Sequence, residues 1–196
     1  MKKHLSKILL SLAMVFVFIL VAGASCKIGT TPKEEPKEET VKIEEEVQGN
    51  WTSATDKGSI PDIPIAGRIN RKDVTIAAVQ VTKWEDEYSW TFSNIAPDEP
   101  CGVLVDNSAV NFSSKVFKEG TFEKKLDEEV EFEEYHSYYH YEQEDGTPMS
   151  VNVEWSSKIV ISKIDETNKK ISGWAKFDFG DGQTSIAGSF TADLCE

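Results

Sequence analysis

The chain has 196 residues, of which 34 are acidic and 21 are lysine or arginine, for a net charge of −13. Its arginines, Arg68 and Arg71, sit together in one turn-like stretch, so the clustered cations needed to displace counterions from a phosphate backbone are missing and nucleic acid is excluded as a partner. Such acidity favours solubility and an atmosphere of divalent cations.

Residues 1–25 read as an export signal. Lys2, Lys3 and Lys7 precede an uncharged run of 17 residues from Ile8 to Ala24, short of the roughly 20 that span a bilayer, so cleavage is expected. Removing the segment takes away three lysines and no acid, which leaves 18 basic against 34 acidic residues and a net charge of −16. Ala22-Gly23-Ala24 satisfies the small-x-small rule of ordinary signal peptidase. Gly23-Ala24-Ser25-Cys26 resembles the lipobox of bacterial lipoproteins, in which the cysteine receives the lipid and becomes the new N-terminus, although that family usually has Leu where this chain has Gly23. Cysteine parity points the same way. The chain has three, Cys26, Cys101 and Cys195, and an odd count in an exported protein calls for a separate fate for one of them. Lipidation of Cys26 leaves Cys101 and Cys195 as an even pair. The alternative is that Cys26 stays a free thiol or pairs between molecules.

Residues 26–48 read as a lipid-attached tether. The stretch is rich in Glu and Lys, contains Pro32 and Pro36 and has no aromatic residue, so it cannot bury enough apolar surface to offset the entropy of ordering. An extended, solvated linker of this length can reach about 70 Å, with a shorter average.

The remainder, residues 49–196, suits one domain with a single core, and its hydrophobic period is two. "EYSWTFS" puts Tyr88, Trp90 and Phe92 on one face of a strand, and "SVNVEWSSKIVIS" does the same for Val151, Val153, Trp155, Ile159 and Ile161. In "KISGWAKFDF" the inward set is Ile171, Ala175, Phe177 and Phe179; in "TSIAGSFTADL" it is Ile186, Gly188, Phe190, Ala192 and Leu194. "GDGQ" joins these two as an antiparallel hairpin, and Asn70-Arg71-Lys72 separates an earlier pair, "IPIAGRI" and "DVTIAAVQV". The change of phase from Val74 and Ile76 to Val79 and Val81 predicts a bulge near Ala77 and Ala78. Many short strands with closely spaced turns predict an all-β domain, an antiparallel β-sandwich or flattened barrel.

The pieces "IAGRINRKDVTI", "CGVL", "ISGWAKFDF" and "IAGSFTADLC" resemble uncharacterised exported bacterial lipoproteins, in which a Gly-x-x-Asn-Gly-Lys strand pair opens the domain and a Gly-x-Phe-x-Ala strand ends in Cys. This chain carries Arg71 at the second of those motif glycines. The resemblance covers the ends of the domain better than its middle. It implies a β-sandwich and an exported location, and it brings no activity.

Candidate chemistry is sparse. "DFG" at Asp178–Gly180 has no glycine-rich loop or catalytic loop to accompany it, and "DFGDG" lacks the alternating ligands and terminal Glu of a calcium loop. In "EEVEFEEYHSYYHYEQEDG", His136 and His140 would share a metal with Glu133 on a helix, but on a strand they stand about 13 Å apart, too far for one ion. Four tyrosines in seven residues favour the strand. Phe132, Glu134, His136, Tyr138 and His140 then share a face without an apolar stripe, which predicts an exposed, mobile hairpin arm. No serine stands in a nucleophile elbow, and pairing Cys101 with Cys195 removes the thiols.

The binding candidates are therefore aromatic: Trp84, Trp174, Tyr135, Tyr138 and Tyr139. Exposed rings can stack on sugars or anchor a protein partner, though Trp more often packs under a loop or covers a sheet edge. The expectation is a lipid-anchored protein of the bacterial envelope, at the outer membrane or cell surface, that touches the membrane through its lipid. It uses no cofactor and acts by binding a protein or glycan or by structural presence. The alternative is an exported hydrolase or carbohydrate-active domain, which would show a pocket with convergent carboxylates of unequal burial.

Overall fold

A computed structural model describes residues 50–104 and 108–195. The signal segment, the tether and Cys26 lie outside the described residues. Among the described residues twelve strands follow one another: β1 Trp51–Thr52, β2 Ala66–Ile69, β3 Lys72–Thr75, β4 Ala78–Trp84, β5 Glu87–Ser93, β6 Ala109–Ser114, β7 Gly120–Lys124, β8 Tyr135–Glu142, β9 Pro148–Val151, β10 Trp155–Asp165, β11 Lys170–Phe179 and β12 Ser185–Cys195.

The domain is all-β, as expected, but its layers are one continuous sheet. The order β1-β7-β10-β11-β12-β4-β5-β6-β8-β9 curls into a half-barrel, with β2 and β3 attached to the first part of β12. The pairings between these strands are antiparallel except β12 with β4, which run parallel over Asp193–Cys195 and Gln80–Thr82. The curl brings the inner faces of distant strands together. Phe92 of β5 meets Phe177 of β11 edge-on at 5.1 Å, and Phe112 of β6 meets Phe122 of β7 at the same distance.

The two-residue alternation fills that interior as read. Trp90, Phe92, Ile159, Ile161, Ile171, Ala175, Phe177, Ile186 and Ala192 are all buried. The expected bulge at Ala77 and Ala78 is instead a change of partner: Ile76 still donates to Ile65 O, whereas Ala77 donates to Ser93 O, so the chain leaves β2 for β5 between them. "SVNVEWSSKIVIS" likewise divides into β9 and β10 at residues 152–154.

The Tyr-rich arm requires a larger correction. β8 is an internal strand between β6 and β9, and Tyr135, Ser137 and Tyr139 are buried. Its inward side chains are tyrosines and a serine, so it lacks an aliphatic stripe; the rings supply the apolar area and the polar tips find partners. Ser137 Oγ donates to Asn111 O at 2.7 Å and the Tyr139 hydroxyl donates to Asp181.

Residues 53–65 run as a strap over the outer face of β7, β10, β11 and β12. Thr121 Oγ1 donates to Ala54 O at 2.6 Å and accepts from the Asp56 amide; Ser189 N donates to Ile63 O at 2.7 Å and Ile65 N returns a bond to Ser189 O. Ile60 on the strap and Val160 beneath this region are both buried. A Cβ at Gly188, where φ is 151°, would come within 2.4 Å of Ile63 O, so only glycine lets the strap lie this close.

Candidate functional site

The strand register divides the sequence-selected residues among three environments. Tyr135 and Tyr139 face the core at 5% and 2% exposure and are withdrawn as surface candidates. Burial pushes both phenols up, that of Tyr139 to about 12 with Asp181 adding to the effect. Trp174 faces outward, but the strap claims it: its indole N–H donates to Asp62 at 2.6 Å, and Lys57, paired with Asp62, sits 5.6 Å from the ring centroid. Trp174 is therefore a strap anchor and not an open platform.

Trp84, His136, Tyr138 and His140 share the third environment, the outer face of β4, β5, β6 and β8. Two rows of paired residues cross it. One runs Gln80, Thr91, Asn111, Tyr138, and the next runs Thr82, Ser89, Ser113, His136. Trp84 pairs with Glu87 at the end of β4 and is 74% exposed. At the corresponding end of β8 the exposed Phe132 ring lies 4.8 Å from His136 at 22°, and His136 is nearly parallel to Tyr138 at 6.4 Å. The 3.3 Å rise of a strand sets His136 and His140 about 13 Å apart, and among the described residues no three metal-ligating side chains converge.

A relay orders part of this face. Thr91 Oγ1 donates to Asn111 Oδ1 at 3.0 Å, which turns the Asn111 amide N–H toward His140 Nδ1, also at 3.0 Å, so Nδ1 serves as the acceptor. Burial holds the His140 pKa below the ordinary imidazole value.

In a chain that is 28% charged, the two rows contain hydroxyls, amides and imidazole and no Lys, Arg, Asp or Glu. The other half of the same sheet is different. Its outer face carries the ion pairs Lys158–Glu123 at 3.4 Å, Lys176–Asp178 at 2.9 Å and Lys170–Asp193.

A cleft of about 930 Å³ is lined by Lys124, residues 126–132, Glu134, Tyr135 and residues 152–155, so Phe132 borders it as well. Lys124 is buried beneath it: its ammonium donates to Trp155 O at 2.7 Å and Lys125 O at 3.0 Å and lies 4.7 Å from the Trp155 ring. Desolvation lowers its pKa, with Glu128, Glu154 and Asp127 acting in the opposite sense. The carboxylates around the rim, Asp127, Glu128, Glu129, Glu131, Glu134 and Glu154, all belong to exposed residues. They therefore lack the contrast of environments that separates a general acid from a base. Lys124 was not singled out by sequence, although its position two residues from Phe122 in "TFEK" marks it as inward-facing.

The fold and these sites define a disulfide-closed, all-β half-barrel. Compared with known protein families, curated proteins and solved structures, the chain finds no match.

Proposed function

We propose that this is a lipid-anchored protein of the bacterial envelope whose β-domain is a non-catalytic binding module held on the acidic segment 26–48. The observation that carries this reading is the bridge between Cys101 and Cys195. It accounts for two of the three cysteines, it suits an oxidising compartment, and it leaves Cys26 as the odd cysteine in a lipobox-like context. The even exposure of the cleft carboxylates favours binding over hydrolysis. In the intact native protein, mass analysis should find an N-terminal Cys26 carrying acyl chains, and Cys26→Ser should move the protein from the membrane fraction to the soluble fraction. An unmodified N-terminus at Ser25, or a disulfide involving Cys26, overturns the anchor.

A further inference from the structure

We propose that the cleft above Lys124 binds a basic, partly apolar peptide segment, with the Tyr135 hydroxyl as a hydrogen-bond partner for the peptide's main chain. The assignment rests on the reading of the domain as a binding module and names the partner class for it.

The first observation is an unanswered polar group. Ser137 and Tyr139 find hydrogen-bond partners inside the domain, but the Tyr135 hydroxyl on the same strand has none among the described residues. Tyr135 is 5% exposed and its ring lies 4.9 Å from Phe122 in the core, a setting in which a phenol normally finds a partner. The polar side-chain atoms sealed from solvent without one are Trp51 Nε1, Trp90 Nε1 and Ser157 Oγ. The Tyr135 hydroxyl is not among them, so it opens on the cleft that Tyr135 lines.

The second observation is the charge around that opening. Glu128 is fixed by Asn50 Nδ2 at 2.7 Å and the Lys125 amide at 3.0 Å. Among the described residues, Asp127, Glu129, Glu131, Glu134 and Glu154 have neither an ion pair nor a side-chain hydrogen bond. Lys124 does not consume this charge, because its ammonium is committed to Trp155 O, Lys125 O and the Trp155 ring and meets no carboxylate at ion-pair distance. A cationic partner complements such a rim.

The third observation is apolar surface between the carboxylates. Leu126 is 44% and Phe132 62% exposed, and both line the cleft with the half-buried Val130 and Val153. A volume of about 930 Å³ is within the range of ligand clefts. A peptide that mixes lysine or arginine with aliphatic residues covers both kinds of surface, and its main chain supplies the neutral C=O or N–H that Tyr135 lacks. A simple polyamine fits less well. It leaves Leu126 and Phe132 uncovered, and a second ammonium at the depth of Tyr135 meets the like charge of Lys124.

The test uses the full processed chain in detergent and fluorescence anisotropy of a short capped peptide of alternating Leu and Lys. That peptide should bind and should weaken by about tenfold or more between low and high salt, because the rim is exposed. The matching Ser-Lys peptide, the Leu-Glu peptide and spermine should each bind far more weakly. Glu129→Gln with Glu131→Gln should weaken the Leu-Lys peptide by about tenfold, whereas Glu142→Gln with Glu144→Gln, the same charge change outside the cleft, should have little effect. Tyr135→Phe removes a hydroxyl that the fold does not use, so the unfolding midpoint should not fall while binding weakens by roughly threefold to tenfold. Absence of Leu-Lys binding, equal losses from the two glutamate pairs, or binding indifferent to Tyr135→Phe overturns the site. Spermine or the Ser-Lys peptide bound as tightly as the Leu-Lys peptide overturns the partner class. Acylation of Cys26 in the same preparation is read separately by mass analysis, so failure of the peptide is distinguished from failure of the anchored-module reading.

Discussion

At the scale of single residues, the backbone between β2 and β3 is held in a conformation that its side chains oppose. Asn70 and Arg71 both have positive φ, 48° and 67°, which a two-residue hairpin needs so that its twist follows the strands. Asn tolerates this region through its short polar side chain; Arg gains nothing from it. The Arg71 amide still donates to Gln183 O at 2.8 Å, so the turn is docked and cannot relax. Arg71→Gly should therefore stabilise the domain by about 0.5 to 1 kcal/mol, the relief of the left-handed penalty less the extra freedom of the unfolded glycine. Urea unfolding of the two proteins measures it, and an unchanged or lower midpoint refutes it. His140 offers a second residue-scale expectation. Its pKa is depressed by burial, so below the unfolded value of about 6.5 the unfolded chain binds a proton that the folded chain refuses. Its contribution is complete above that pH and is lost as pH falls through the unfolded toward the folded value. The nearest groups on its face are Asn111, Tyr138 and Ser150, with the Glu142 carboxylate two residues along β8. His140→Gln should flatten the pH dependence of the melting temperature between about pH 7 and 5, and an unaltered slope would assign the effect to other groups.

At the scale of elements, the strap and β8 show what could be read in the sequence and what could not. β11 and β12 were legible because each alternates strictly against a core on one side only, and "GDGQ" supplies the turn. The outward set of β8 was legible too, as Tyr138 and His136 share a face. What misled was the absence of aliphatic residues from its inward set: Tyr135, Ser137 and Tyr139 enter the core only because the Tyr139 hydroxyl meets Asp181, 42 positions away, and the Ser137 hydroxyl meets Asn111 O. Such long-range satisfaction leaves no local mark. Trp174 was uncertain for the same reason, its partner Asp62 being 112 positions away. Two expectations follow. Replacing residues 133–144 with a short Asn-Gly turn should abolish cooperative unfolding, because it removes an internal strand and two buried tyrosines at several kcal/mol apiece; a melting temperature near that of the parent would restore the mobile-arm reading. Gly188→Ala should cost about 2 to 3 kcal/mol by forcing the strap off β12. It should also raise proteolytic cutting within residues 53–65, which a purely local defect in β12 would not do.

At the scale of the whole molecule, the sheet has to solve a closure problem. Its chain-order neighbours pair as hairpins through most of the domain, but the last strand returns to the first half by a parallel contact of three residue pairs, Asp193–Gln80, Leu194–Val81 and Cys195–Thr82. So short a parallel ladder is a weak join, and it is the seam through which the two halves of the half-barrel hold their curl. The Cys101–Cys195 bridge lies at that seam, with a sequence separation of 94, and Gln80 Nε2 fastens the same loop by donating to Gly102 O at 3.1 Å. Closing a loop of this length removes denatured-state freedom worth about 4 to 5 kcal/mol in the chain-entropy model. If the bridge acts only on the unfolded chain, replacing both Cys101 and Cys195 with Ser lowers stability and leaves native amide exchange evenly distributed. If it also holds the seam, the loss is uneven. The seam geometry favours the second outcome: the double variant should lose about 3 to 5 kcal/mol, and amides of residues 80–82 and 193–195 should exchange far faster relative to those of β10 and β11 than in the parent. Uniform acceleration across all strands would show that the bridge contributes through chain entropy alone and that the parallel ladder holds the curl unaided.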